Sequence, residues 1–164
     1  MQFSSHGMNV INITSKKLCD VGEENIQMVR EIIKDTFILI KKSEKADKSD
    51  LSIAKDLIDT LNYNKERCVG MAANMIGENK TIIAVMMGIV PVAMINPKIV
   101  SHSSESYETE EGCLSFDGVR KVKRWKEIEV EYYDMMMKKH RNIYKGFIAQ
   151  TIQHEIDHCN GVIV

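Results

Sequence analysis

The chain has 164 residues, 44% of them apolar, which is enough for one domain spanning 1–164 to bury a core without disulfides or a structural metal. Its 22 basic and 23 acidic side chains leave a net charge of -1, so there is no electrostatic case for nucleic acid or an anionic membrane, and a small molecule or peptide is the better substrate class. No stretch approaches bilayer-spanning length, and Met1 to Thr14 carries neither the basic start nor the apolar run of a secretion signal, so a cytoplasmic protein is expected.

Residues 1–25 are set apart as an N-terminal extension. From Asn25 to Ile40, Ile26, Val29, Ile32, Ile33 and Phe37 have a spacing compatible with a helix, although Phe37-Ile38-Leu39-Ile40 could equally form a short buried strand. After the charged stretch Lys41 to Asp50, Ser49 or Asp50 serves as N-cap for a helix carrying Leu51, Ile53, Ala54, Leu57, Ile58 and Leu61. Thr81 to Met87 and Val90 to Ile95 are β-type runs separated by Gly88, which predicts a hairpin. Pro97 to Ser101 adds a candidate strand, and Ile128 to Tyr133 alternates like a half-buried one. A last helix runs from Phe147 to about Cys159, with Asn160-Gly161 as its stop. The predicted class is α+β, with antiparallel strands and a C-terminal helix.

That last helix contains His154-Glu155-Ile156-Asp157-His158. Two histidines four apart project from one helical face, so both imidazoles can reach one divalent metal, with Glu155 beside them as a candidate general base. Cys159 is about 100° around the helix from His158 and faces away, and only Asn160 to Val164 lie beyond it, so a third ligand is sought upstream. The candidates are Cys19, Cys68, Cys113, His6, His102, His140 and many carboxylates, and position alone does not choose among them. Local context favours Cys113, because Gly112 permits a close backbone approach and two acidic residues precede it. One cysteine and two histidines leave a fourth tetrahedral position for water, the arrangement of a catalytic site. The four cysteines show no CxxC spacing and are expected as thiols or ligands rather than disulfides.

Three segments together resemble the signature motifs of the peptide deformylase family, in that family's order: Val69-Gly70-Met71-Ala72-Ala73, Glu111-Gly112-Cys113-Leu114-Ser115, and Gln153 to His158 with Gly161. The resemblance covers about residues 50–164. It implies an α+β fold with antiparallel sheets around the C-terminal HExxH helix. The implied activity is removal of the formyl group from the N-terminal formyl-methionine of new polypeptides, an early processing step in protein biosynthesis. The implied cofactor is one divalent ion, often ferrous iron and replaceable by zinc, nickel or cobalt, on Cys113, His154 and His158. By the same resemblance Glu155 is general base and acid, the Leu114 backbone N–H faces the oxyanion, Val69 and Gly70 contact the substrate backbone, and Phe147, Gln150 and Thr151 border the pocket for its first side chain. Gln150 is more polar than the aliphatic residue often found there. Arg120 and Arg124 are candidates for a peptide carbonyl.

The first motif departs from the family pattern at two places. Cys68 replaces its first glycine and is expected to be a buried, inert thiol. Met75 replaces the glutamine whose amide helps to stabilise the oxyanion, and a thioether cannot donate a hydrogen bond. Losing one such donor typically costs about 10²–10³ in kcat. The neighbouring Asn74 amide is a candidate substitute. Ser115 is followed by Phe116-Asp117 where the family commonly has an aliphatic residue and proline. Two alternatives therefore stand beside the deformylase reading: a catalytically weak metal-binding homologue with a binding or regulatory role, and an amidase for another small acyl-amide.

Overall fold

In the computed structural model, which describes residues 17–19 and 27–164, the first elements form a two-stranded antiparallel ribbon of β1 (Lys17–Cys19) and β2 (Gln27–Val29). The helix expected from Asn25 to Ile40 does not form. Asn25 and Ile26 lie outside the described residues, as do most of 1–25, and only Thr36–Leu39 closes a short helix, α1, capped by the Asp35 carboxylate. The reason is that this segment's backbone is bonded to other elements rather than to itself. The N–H groups of Met28, Arg30 and Ile33 donate to the Asp59 carboxylate, the Thr60 hydroxyl and the Met75 carbonyl, all within 2.9 Å. Of the apolar run 37–40 only Leu39 is buried, and Phe37 is 86% exposed.

Asp47 and Asp50 exchange side chain to backbone hydrogen bonds around a 3-10 turn, which leads into α2 (Leu51–Tyr63). Asp50 is the boundary residue of α2, as expected, but its carboxylate caps the preceding turn. Ala54, Leu57 and Leu61 are fully buried and form the apolar stripe with which α2 covers the sheet.

That sheet holds five antiparallel strands in the order β3-β4-β5-β8-β9. They are β3 (Gly70–Ala72), β4 (Ile82–Met87), β5 (Val90–His102), β8 (Glu127–Tyr133) and β9 (Lys139–Lys145). Gly88, with φ of 67°, makes the corner between β4 and β5, where an L side chain would be strained. Pro97 to Ser101 is not a separate strand: β5 runs through a bulge between Ile95 and Lys98, with Asn96 at φ 52°, and continues along β8. Proline is tolerated there because a bulge has no ladder bond to lose. The alternation in β8 buries Ile128, Val130 and Tyr132 and leaves Glu127, Glu129 and Glu131 to pair with Lys145, Arg141 and Lys139 of β9.

Between β5 and β8 the chain makes a long hairpin, β6 (Ser106–Cys113) and β7 (Phe116–Trp125), turning through Leu114-Ser115. Its register sets Glu108 opposite Lys123, Glu110 opposite Lys121 and Glu111 opposite Arg120. The last helix, α3 (Gly146–Cys159), packs against β3 and β4, with Ala149, Ile152, His158 and Cys159 buried. No described helix is long and apolar enough to cross a membrane.

Candidate metal centre and active site

Three elements meet at the site: α3, the β6–β7 turn and β3. Gln153 fastens α3 to the end of β7 as a strand would, its carbonyl accepting from the Trp125 N–H at 2.9 Å and its amide donating to the Trp125 carbonyl at 3.0 Å. The adjacent residues His154 and Glu155 are thereby set against the hairpin, and His158 follows one turn later. Cys113, at the end of β6, places Sγ 3.3 Å from His158 Nε2, which is 3.1 Å from His154 Nε2. The three donor atoms lie within 4.8 Å of one another. Separations of this size suit a cation held about 2.0–2.3 Å from nitrogen and sulfur.

The electrostatics fit the same purpose. The other ring nitrogen of His154, Nδ1, lies 2.7 Å from Glu111 Oε2, so Nε2 is the nitrogen left for a cation. Glu111 is held in turn by a two-pronged bond from Arg124, at 2.9 and 2.7 Å, and Arg124 also reaches Asp157 at 2.6 Å. Burial works against a charge on Glu111, but the bonds from Arg124 and His154 outweigh it and hold the carboxyl down to about 2. Burial also works against a proton on His154. The neighbouring Cys113, Glu111 and Glu155 nevertheless raise its pKa to about 10, and an anionic cage that attracts a proton will attract a cation. Burial and the nearby positive charge of His154 push His158 down to about 3, so its imidazole is neutral, as a ligand must be.

Glu155 lies beside this cluster, 3% exposed, with Oε2 lacking a hydrogen-bond partner among the described residues. Burial raises its carboxyl to about 7, where a group can both take and return a proton at neutral pH. A cavity of about 240 Å³ opens onto it. The exposed residues Arg67, Val69 and Phe147 stand at its mouth, and Gly70, Cys113, His154 and Thr151 line it further in. Gly70 is required here: a Cβ would come 2.5 Å from the Thr151 methyl and 2.6 Å from a Glu155 oxygen.

The structure gathers Cys113, His154, Glu155, Met75, Val69, Gly70, Phe147, Gln150 and Thr151 around this cavity, joins the fully buried His158 to Cys113 and His154, and sets Leu114 in the turn directly after Cys113. Arg120 is elsewhere, stacked over Phe116 at 5.0 Å and absent from the cavity lining. Arg124 is buried in the Glu111–Asp157 network rather than offered to a peptide. Asn74 cannot stand in for the missing glutamine, because its amide donates to the His158 carbonyl at 2.8 Å and ties the turn after β3 to the end of α3. Met75 is buried, and its sulfur only accepts, from the Ala72 N–H.

Cys68 is half-buried rather than buried and lines the cavity; burial pushes its thiol up to about 12, consistent with an inert role. His102 stacks on Trp125 and His140 bonds to Asp134, both away from the site. His6 and the side chain of Cys19 lie outside the described residues. Sequence reasoning did not single out Glu111 and Arg124 as supports of the ligands. The one available signal was the acidic pair before Cys113, whose meaning depends on an arginine across the hairpin.

An α+β fold in which a HExxH helix is set against a cysteine-bearing hairpin, with a near-neutral carboxyl in the adjoining cavity, defines a metal-dependent hydrolase. The family model described as Polypeptide deformylase matches residues 25–164. A peptide deformylase of Clostridium beijerinckii is 50% identical over 137 residues, covering 84% of this chain and all of that one. Among solved structures, the peptide deformylase of Thermotoga maritima matches with a TM-score of 0.75 at 30% identity, covering 82% of this chain and 94% of that chain. The Met-Ala-Ser-bound class I type b peptide deformylase of Acinetobacter baumannii matches with a TM-score of 0.74 at 28% identity, covering 82% and 96%. The chain belongs to the peptide deformylase family, hydrolases whose metal-dependent reaction removes the formyl group from N-formylmethionyl peptides.

Proposed function

We propose that the chain acts as one catalytic domain, over 1–164, on N-formylmethionyl nascent chains in the cytoplasm, with ferrous iron on Cys113, His154 and His158. Zinc, nickel and cobalt suit the same donors. The observation that carries this reading is that the three donor atoms converge within 4.8 Å beside Glu155, a carboxyl at about 7 facing the same cavity. When bound, a divalent ion supplies Lewis acidity toward water and the formyl carbonyl. Glu155 takes a proton from the attacking water, whose oxygen bonds to the formyl carbon. The Leu114 N–H donates to the carbonyl oxygen as negative charge develops there. Glu155 then returns its proton to the nitrogen as the C–N bond breaks, releasing formate and a free amine. The main chain at Val69 and Gly70 aligns the peptide, and Phe147, Gln150 and Thr151 surround its first side chain. The Met-Ala-Ser peptide in the Acinetobacter baumannii relative supports a peptide of this kind in the cavity.

The test is formate release from formyl-Met-Ala-Ser by protein loaded anaerobically with ferrous iron, beside a Glu155→Ala control, with metal content measured on the same samples. Turnover well above the control is expected. Bound metal with no turnover would favour the weak homologue, for which Met75 is the specific observation.

A further inference from the structure

The wall of the cavity contains a hydrogen-bonding group that the hydrolytic chemistry does not use. Gln150 lies one turn before His154 on α3 and shares its face, so its side chain borders the cavity beside the metal centre. Tyr107, on the neighbouring hairpin strand β6, donates its hydroxyl to Gln150 Oε1 at 2.9 Å. That bond occupies the acceptor half of the amide and leaves its NH2, with two donors, for which no described residue is a partner. The adjacent Thr151 offers nothing comparable, because its hydroxyl donates to the Phe147 carbonyl at 2.9 Å and its methyl lies toward Gly70. Phe147, Val69 and Met75 add apolar surface without donors. Arg67 and Glu110 also line the cavity, but Arg67 stands exposed at the mouth and donates to Asn64 Oδ1 at 3.0 Å, so next to the metal-binding face of α3 the uncharged side-chain donor is the Gln150 amide.

We infer that Gln150, oriented by Tyr107, determines specificity by selecting substrates whose formylated first residue carries a hydrogen-bond acceptor near the end of its side chain, methionine sulfoxide above all. The inference rests on the deformylase reading of the site. A purely apolar first side chain would cover the amide N–H groups and leave them without a partner, which binding sites penalise more than they reward an extra apolar contact. The methionine thioether is a weak acceptor and the sulfoxide oxygen a strong one, whereas norleucine, of nearly the same shape, has none. Tyr107 is a positioning residue that acts through Gln150.

The experiment compares kcat/KM for formyl-Met-Ala-Ser and for the same peptide with methionine sulfoxide, norleucine or lysine as its first residue, using the iron-loaded full chain. The wild type is expected to process the sulfoxide peptide at least as well as the norleucine peptide. Gln150→Ile should lower the sulfoxide-to-norleucine ratio by about tenfold, and Tyr107→Phe by about threefold, because the freed amide loses its orientation. A role of Tyr107 confined to folding would lower both peptides equally and leave the ratio unchanged, and that result would overturn the inference. A ratio indifferent to Gln150→Ile, or a wild type that prefers norleucine, would overturn it as well, and the second test needs no variant to fold. Preference for lysine over the sulfoxide would show the amide carbonyl facing the ligand, contrary to the assignment. Failure to turn over formyl-Met-Ala-Ser at all would sink the deformylase reading and this inference with it. Turnover without the Gln150 dependence would sink this inference alone.

Discussion

Met75 and Asn74 show how much one side chain's bonding capacity decides. Both are buried in the turn after β3, but the thioether has no proton to donate and the amide is already bonded to the end of α3. Met75→Gln should therefore raise kcat for formate release by about two orders of magnitude; no change would mean that another donor already serves the oxyanion. Asn74→Ala should act on stability instead. Removing its bond to His158 O should lower the free energy of unfolding by about 1–2 kcal/mol in a denaturant titration. Gly70→Ala is expected to reduce activity at least about tenfold, since its new methyl would displace the Glu155 carboxylate, and 1 Å errors of placement are costly.

At the scale of elements, the β6–β7 hairpin explains why the candidate metal ligands stay in place. Arg124 on β7 holds Glu111 on β6 and Asp157 on α3, so a single guanidinium joins the cysteine strand to the histidine helix. Both Arg124 and Glu111 are buried, which makes the pair costly to break from one side. Arg124→Met should cost about 3–5 kcal/mol in unfolding free energy, because two carboxylates lose their counter-charge. It should also weaken metal binding about 10- to 100-fold in competition with a chelator. This hairpin was not anticipated from sequence, and the reason is physical. Its strands are rich in charged residues, with Glu108 set opposite Lys123 and Glu110 opposite Lys121, and the residues they bury are Glu111 and Arg124, so no apolar periodicity marks them. The polar β9 was missed for a related reason, since its cations pair with glutamates of β8. The β4–β5 corner at Gly88 and the stripe of α2 were legible because apolar periodicity and turn chemistry are local.

For the whole molecule, a divalent ion on the candidate ligands Cys113, His154 and His158 would also fasten the hairpin to α3. A ligand bound only by the folded state stabilises it by mass action, about 4 kcal/mol at a thousand times its dissociation constant. Chelation should accordingly lower the midpoint of thermal unfolding by about 8–16 °C, and Cys113→Ala should abolish that difference. Ordering along the chain was sufficient to reveal the i, i+4 histidines, Glu155 between them, the class of fold and the departure at Met75, because each depends on residue type at short spacing. Contacts across the fold settled the rest. They made residues 27–40 a strand and a single helical turn, drew Arg124 into the support of His154, committed Asn74 to the end of α3, and oriented Gln150 through Tyr107. Those outcomes depend on which buried polar group finds a partner, and the partners lie tens of residues away in the chain.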